Sequence, residues 1–151
     1  MSIEKYRQAR ALIEDVGGGD FEGAKPESLV AKAESALGVT FPPSFRCFLL
    51  EMGCGDINGL EVFGLVDENF ENSTVPNSIW LTLKKRRTIG LDPAYIVIAE
   101  GGDGTFHGLD TRQVGPDREA TVVLLSVNGK NSGKVADSFG EYLLEEVRRT
   151  L

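Results

Sequence analysis

The hydrophobic positions in the first third of the chain follow the 3.6-residue period of amphipathic helices. The segment Ile3–Val16 has such a face, and the glycine-rich run after it ends the helix. A second helix is predicted between Pro26, which suits a first helical turn, and Gly38, which suits a left-handed C-terminal cap. A third begins at Pro43. Its core-facing residues recur at helical spacing: Phe45, Phe48, Leu49 and Met52.

After the Gly53–Gly59 loop the hydrophobic period changes to two, which predicts strands. The first strand candidate is Leu60–Leu65. The polar, turn-rich residues 66–77 after it are expected to form a loop. Three further strand candidates come later: Tyr95–Ala99, Thr105–Asp110 and Thr121–Val127. Because short turns separate these later strands, an antiparallel meander is expected.

Two more helices are predicted in the second half of the chain. The first is capped by Ser78 or preceded by Pro76, has Gly90 past its end, and carries a basic run, Lys84–Arg87, expected in solvent. The second begins at Ser138–Glu141, which matches a capping box. In both segments a polar residue or a proline, which favours the first turn of a helix, precedes apolar residues at helical spacing.

Together these elements predict an α+β fold in which N- and C-terminal helices pack around a mostly antiparallel sheet. A length of 151 residues suits one domain over residues 1–151. No apolar run reaches the roughly 20 residues of a membrane helix, and the charged N-terminus lacks a signal core. A cytoplasmic protein that makes no membrane contact is therefore expected. An open edge at the short middle strands would suit a partner or a second copy, so a monomer or weak homodimer is expected.

The charge balance narrows the class of partner. The chain has 16 Lys and Arg against 23 Asp and Glu, a formal net charge of −7. Nucleic-acid binders gain much of their affinity from cationic side chains on phosphates, so no nucleic-acid partner is expected. A basic protein partner fits better, because opposite fields speed and orient the encounter. The acidic charge equally serves solubility.

The segment EGGDGTFHGLDT, residues 100–111, holds the one histidine of the chain. Its Asp-Gly pair lies between two strand candidates and not before a helix, so a hairpin turn is predicted instead of a phosphate loop. His107 would then lie within a strand as a structural or surface side chain. Glu100 with Asp103, or Asp103 with Asp110, could pair across the turn for acid–base chemistry, or simply form an acidic surface.

The remaining chemical groups do not form a recognisable catalytic set. Zinc takes about four ligands, whereas the chain has two cysteines and one histidine, so neither a metal nor another cofactor is expected. Cys47 and Cys54 are expected to be free, partly buried thiols. Trp80 is expected in the core. No serine carries a nucleophile-elbow motif, and a non-enzymatic protein is predicted. A small hydrolase using His107 with Asp103 or Asp110 is the less favoured alternative.

The stretch Glu27–Leu65 resembles the signature of the SUKH superfamily, the Smi/Knr-like proteins. The likeness begins with a helix that contains an internal Glu, here Glu34, and ends in a Leu-Gly pair, Leu37-Gly38. A proline pair, an aromatic and a Phe-Leu pair follow: Pro42-Pro43, Phe45 and Phe48-Leu49. It closes with a glycine-rich loop and a strand, Gly53–Gly59 and Leu60–Leu65. Leu109-Asp110 and the closing segment VADSFGEYLLEEV are also similar to the family. Phe41 stands where the family usually has Leu, and the loop carries Cys54 and Asp56.

The resemblance implies a mostly antiparallel sheet with helices around it. It also implies two functions: many members are immunity proteins that block a toxin domain, often a nuclease or deaminase, in bacterial toxin systems, and others are regulatory scaffolds. We therefore expect an immunity protein that binds a cognate, basic toxin domain without catalysis; the alternative is an adaptor of the same fold with a non-toxin partner. Partner contacts are expected among acidic residues of the strand, hairpin and loop segments: Glu61, Asp67, Glu68, Glu71, Glu100, Asp103 and Asp110.

Overall fold

The computed structural model describes residues 2–151, which form five helices and seven strands. The helices are α1 (Ser2–Asp15), α2 (Glu27–Leu37), α3 (Pro43–Glu51), α4 (Ser78–Thr88) and α5 (Phe139–Thr150). The strands are β1 (Asp20–Phe21), β2 (Gly55–Ile57), β3 (Leu60–Val62), β4 (Tyr95–Glu100), β5 (Phe106–Val114), β6 (Ala120–Leu125) and β7 (Asn131–Ala136). The predicted α+β class, with helices at both ends, is confirmed.

The strands form two antiparallel sheets that meet at one point. The smaller sheet has the order β1-β2-β3, and the larger is a meander in the order β4-β5-β6-β7. Just past β3, the amide of Phe63 donates to the carbonyl of Ile98 at 2.8 Å. A register shift in β4 between Val97 and Ala99 accompanies this contact. The two sheets are therefore joined across the outer edge of β4.

The main core lies between one face of the larger sheet and α1, α3 and α5. Phe139 at the start of α5 packs against Phe45 and Phe48 of α3, with ring centroids 5.1 Å apart in both pairs. All three rings are buried. Aromatic pairs at this separation add to the stabilisation from buried apolar area, so this cluster holds α3 and α5 together.

A buried carboxylate fixes the starts of the same two helices. Glu119, directly before β6, accepts hydrogen bonds from the amide and the hydroxyl of Ser44, at 3.0 and 2.9 Å. The Ser44 hydroxyl in turn accepts from the amide of Gly140, at 2.9 Å. Burial raises the pKa of Glu119, and the bonds from Ser44 act against that rise. Glu119 thus bonds the α3 N-terminus directly and is connected to the α5 N-terminus through the Ser44 hydroxyl.

The second face of the larger sheet packs against Leu91 and partly buried residues of α4. Asn77, and not Ser78 as predicted, caps α4 by accepting from the amide of Trp80 at 3.0 Å. The Ser78 hydroxyl instead donates to the carbonyl of Val97, and the Thr82 hydroxyl accepts from the amide of Val97. α4 therefore covers the part of the β4 edge that Phe63 leaves open.

Three short or exposed strands were not predicted. β1 follows the glycine-rich run after α1, β2 lies in the predicted Gly53–Gly59 loop, and β7 was not among the strand candidates. β1 and β2 are two and three residues long, too short for an alternating pattern to be read. β7 reads NSGKVA, and its polar exposed positions hide the strand period.

Three predictions about individual side chains are wrong. Val16 lies beyond α1 and is 47% exposed, because the helix ends at Asp15. Trp80 is only half-buried, with the Lys84 ammonium 5.0 Å from its ring. The basic run is not fully solvated: Arg86 donates to the carbonyls of Leu37 and Pro93, both at 2.9 Å. Its guanidinium thereby ties α4 to the end of α2.

The contact between α1 and α5 generates the first prediction. A Cβ on Gly140 would collide with the carbonyl of Ser2, so Gly140→Ala must push α1 away from α5. We expect a loss of about 2 kcal/mol in unfolding free energy, the usual cost of overpacking, measured by urea denaturation. Gly102→Ala is the matched control, since its added methyl group would meet no other side chain or backbone atom within 4 Å. Equal stability of the two variants would contradict the close contact.

Candidate functional site

The outer face of the three-stranded sheet carries three carboxylates side by side. In the antiparallel register, Asp56 of β2 lies opposite Asp20 of β1 on one side and Glu61 of β3 on the other. Directly paired residues of adjacent strands point to the same face. We call Asp20, Asp56 and Glu61 the acidic row. All three are exposed, whereas Ile57 and Val62 on the opposite face are buried in the main core.

The acidic row is not neutralised by the protein itself. None of its three carboxylates forms an ion pair with another residue of the described part of the chain. Like charges placed directly opposite across strands are destabilising. The fold therefore keeps an arrangement that costs stability on a surface with no covering element.

A cleft of about 300 Å³ adjoins the row. We call it the His107 cleft, because the imidazole of His107 lies in it between β3, the end of β4 and α5. Three glutamates line it, Glu61, Glu100 and Glu146, together with Tyr142. Glu61 also lines a second, smaller hollow over Asp20 and Asp56. Glu61 is thus shared by the acidic row and the cleft.

His107 and Tyr142 form the polar floor of the cleft. The Nδ1 atom of His107 lies 2.9 Å from the Tyr142 hydroxyl. Burial lowers the pKa of His107; Glu146 acts in the opposite direction and Arg149 in the same direction. Burial is also the largest cause of the raised pKa of Tyr142. At neutral pH the imidazole is therefore uncharged and the phenol is protonated.

The structure does not bring His107 together with the acids considered for a hydrolase. Asp110 lies three residues further along β5, and strand alternation directs it to the opposite face of the sheet. Asp103 is at the tip of the predicted hairpin turn, which is confirmed, in a left-handed conformation with φ of 55°. The hydrogen-bond partner of His107 is a tyrosine, which supplies no carboxylate to orient or charge the imidazole.

The expected exposure of Asp110 is wrong. Its side chain is 1% exposed, and it accepts from the amide and Nε of Arg112, at 3.0 and 3.3 Å. The strand-end position suggested a surface carboxylate, but its face of the sheet is buried next to Tyr95. Asp110 therefore holds the backbone at Arg112, within β5, and offers no oxygen to a partner.

The other six acids predicted as partner contacts are all exposed. Glu61 and Glu100 line the His107 cleft, and Asp103 lies at the nearby hairpin tip. The remaining three, Asp67, Glu68 and Glu71, lie on the loop before α4. Glu68 there is paired with Lys32 at 2.8 Å, so one of these three carboxylates is already compensated.

Four residues of this surface were missed in the sequence: Asp20, Asp56, Tyr142 and Glu146. The first two belong to strands too short to recognise, so their alignment with Glu61 had no visible signal. The helical pattern places Tyr142 on the apolar face of the last helix, which is correct for its ring. Glu146 follows it by four residues, a spacing that places both on one helical side.

Of the two thiols, Cys54 is buried and lines the hollow over Asp20 and Asp56, whereas Cys47 lies on α3. Cys47 and Cys54 are free, and burial raises the pKa of Cys54 to about 11. Within residues 2–151 no three His, Cys, Asp or Glu side chains are grouped as metal ligands would be. The helices of this same range include none with the length and apolar character needed to cross a membrane.

The acidic row predicts that removing its central charge stabilises the fold. Asp56→Asn should raise the melting temperature by about 1–2 °C in low salt, because it relieves repulsion from both neighbours. The gain should shrink at about 1 M salt, where the Debye length is near 3 Å. Differential scanning calorimetry at the two salt concentrations measures both effects. A lower melting temperature in low salt would show that the row is not repulsive.

The His107 cleft predicts an imidazole that titrates below its ordinary pKa of 6.5. A lowered folded-state pKa means that the folded protein binds the proton less well than the unfolded chain. This contribution to stability is therefore present above pH 6.5 and is lost as pH falls through the folded-state pKa. NMR titration of this single histidine measures the midpoint, and His107→Gln should remove its share of the pH dependence. A midpoint at or above 6.5 would contradict the burial effect.

The chain is similar to a known protein family over nearly its whole length. The model of the SUKH_5 family, described as SMI1-KNR4 cell-wall, matches residues 1–148. No curated protein matches the chain. The matched range includes all of the acidic row and the His107 cleft, as well as the signature segment Glu27–Leu65. The chain therefore belongs to the SUKH_5 family of the SUKH superfamily.

Proposed function

We propose that this chain is a cytoplasmic immunity protein that binds a cognate bacterial toxin domain and blocks it without chemistry of its own. The observation that carries the proposal is the uncompensated acidic row beside the His107 cleft, on a member of the SUKH_5 family. Toxin domains that act on nucleic acid need basic surfaces to hold phosphates. An acidic binder can steer to such a surface and cover it.

Binding without catalysis agrees with the arrangement of the polar groups. His107 contacts a tyrosine, and the acids considered as its partners lie on another face of the sheet or at a turn. Burial raises the pKa values of the two thiols, which disfavours the nucleophilic thiolate. A rigid surface with fixed charges is what a tight protein inhibitor needs, because little ordering is required on binding.

The description of the family, SMI1-KNR4 cell-wall, supports a second candidate. In that case the chain is a regulatory adaptor, and its acidic face binds a partner that is not a toxin. The two candidates differ in what happens to cells that express a neighbouring toxin gene.

The test is co-expression with the toxin domains encoded next to this gene. We expect growth to be restored for one of them and a stable complex to co-purify with it. A catalytically inactive variant of that toxin should co-purify equally well, because the interaction is with the surface and not with a product. The toxin should regain full activity once it is separated by denaturation and refolded, with unchanged mass.

Two results would contradict the proposal. A toxin recovered with a covalent change or a cleaved chain would show that this protein is an enzyme. Failure to bind or silence any neighbouring toxin, together with a complex between this chain and an endogenous regulatory protein, would support the adaptor instead.

A further inference from the structure

We propose that the acidic row and the His107 cleft form one docking face, and that it receives an arginine-bearing segment of a basic protein. This inference rests on the proposed function for the identity of the partner, but the face itself follows from the geometry. Three properties of the molecule support the inference: the uncovered face of the small sheet, the continuity between the acidic row and the cleft, and the groups that line the cleft.

The first step concerns the uncovered sheet face. The three strands of the small sheet pack one face into the main core, and the opposite face carries only exposed carboxylates at its cross-strand positions. No helix or loop of the described residues supplies a cation to them. The missing charge must come from outside the chain, so the occupant that complements this face is basic.

The second step concerns continuity. Glu61 lines the His107 cleft on one side and the hollow over Asp20 and Asp56 on the other. A single extended basic segment can therefore contact the row and the cleft at the same time. Glu100 also lines the cleft, is exposed and has no ion pair within the described residues. Two carboxylates thus flank one concave site.

The third step concerns the kind of cation. A guanidinium presents five donors in a planar fork, so it can bond two neighbouring carboxylates at once more readily than an ammonium does. The half-buried imidazole of His107 supplies an uncharged, planar floor against which a guanidinium can lie. Glu146, the third glutamate of the cleft, is paired with Arg149 at 2.8 Å, so its charge is already compensated. The same geometry favours arginine over lysine in the incoming segment.

Another groove on the surface does not share this character. It runs along Val39–Pro43 and is bordered by Arg46 and Arg118. Its two arginines have the same sign as a basic partner, so this groove suits such a partner less well than the His107 cleft does.

The experiment uses the full chain and a hexa-arginine peptide as the probe, at about 50 mM salt. Amide chemical-shift changes in NMR spectra should concentrate in β1–β3, at the end of β4 and around His107. Glu61→Gln should weaken binding roughly five-fold, since it removes the charge shared by the row and the cleft. Asp117→Asn, which removes one charge from the loop at the opposite end of β5, should change it less than two-fold. Hexa-lysine should bind more weakly than hexa-arginine.

The pH dependence tests the role of the cleft. The groups facing His107 are Glu61 from β3, Glu100 from β4, and Tyr142, Glu146 and Arg149 from α5. Protonation of the imidazole adds a positive charge beneath the incoming cation. Affinity for hexa-arginine should therefore fall several-fold between pH 7.5 and 5.5 in the wild-type chain, and fall less in His107→Gln.

The outcomes separate this inference from the proposed function. Equal loss in Glu61→Gln and Asp117→Asn, or shifts spread over all acidic surfaces, would overturn the docking face. If a toxin is neutralised while Glu61→Gln leaves its affinity unchanged, the docking face is wrong and the immunity function stands. If hexa-arginine binds as described but no toxin is bound, the face stands and the function is wrong.

Discussion

The carboxylate of Glu119 connects parts of the protein that are far apart in sequence, and the rest of the packing depends on it. It holds the first turn of α3 through Ser44, and Ser44 holds the first turn of α5 through the amide of Gly140. Because Gly140 has no side chain, the start of α1 can lie against the same turn. The sheet and three helices are therefore positioned by one short series of buried hydrogen bonds, whose loss would leave several buried groups unpaired.

This arrangement leaves the small sheet free to carry unfavourable charge. The main core is completed by α1, α3 and α5 on one side of the larger sheet, and the three short strands contribute only their inner face to it. The repulsion within Asp20, Asp56 and Glu61 is then a small cost set against a well-packed core. Such a trade between stability and activity is common at binding surfaces, where residues are kept for the partner and not for the fold.

Most of the helices and the hairpin could be predicted from the sequence, because the patterns that indicate them are local. Helical spacing in α2 and α3, the left-handed cap at Gly38 and the Asp-Gly hairpin need no knowledge of distant residues. Glu119 could not be predicted, since it lies in a polar turn that reads as solvated, and only the tertiary fold buries it. The candidate site was found in part: Glu61 and Glu100 were identified as acidic contacts, but their neighbours Asp20 and Asp56 became visible only through strand pairing. Asp110 had the same local appearance as these acids, and the face of the sheet on which it lies gave it the opposite environment.

The hydroxyls of Ser78 and Thr82 also have a consequence for behaviour at high concentration. By occupying the amide and carbonyl of Val97, they remove the template that a bare outer strand would offer to a neighbouring chain. Pairing of the larger sheet with a strand of another molecule is then restricted to β7, where the exposed Lys134 is paired with Asp137 of its own chain at 2.7 Å. The larger sheet therefore presents one bare edge, and not two, to a neighbouring chain.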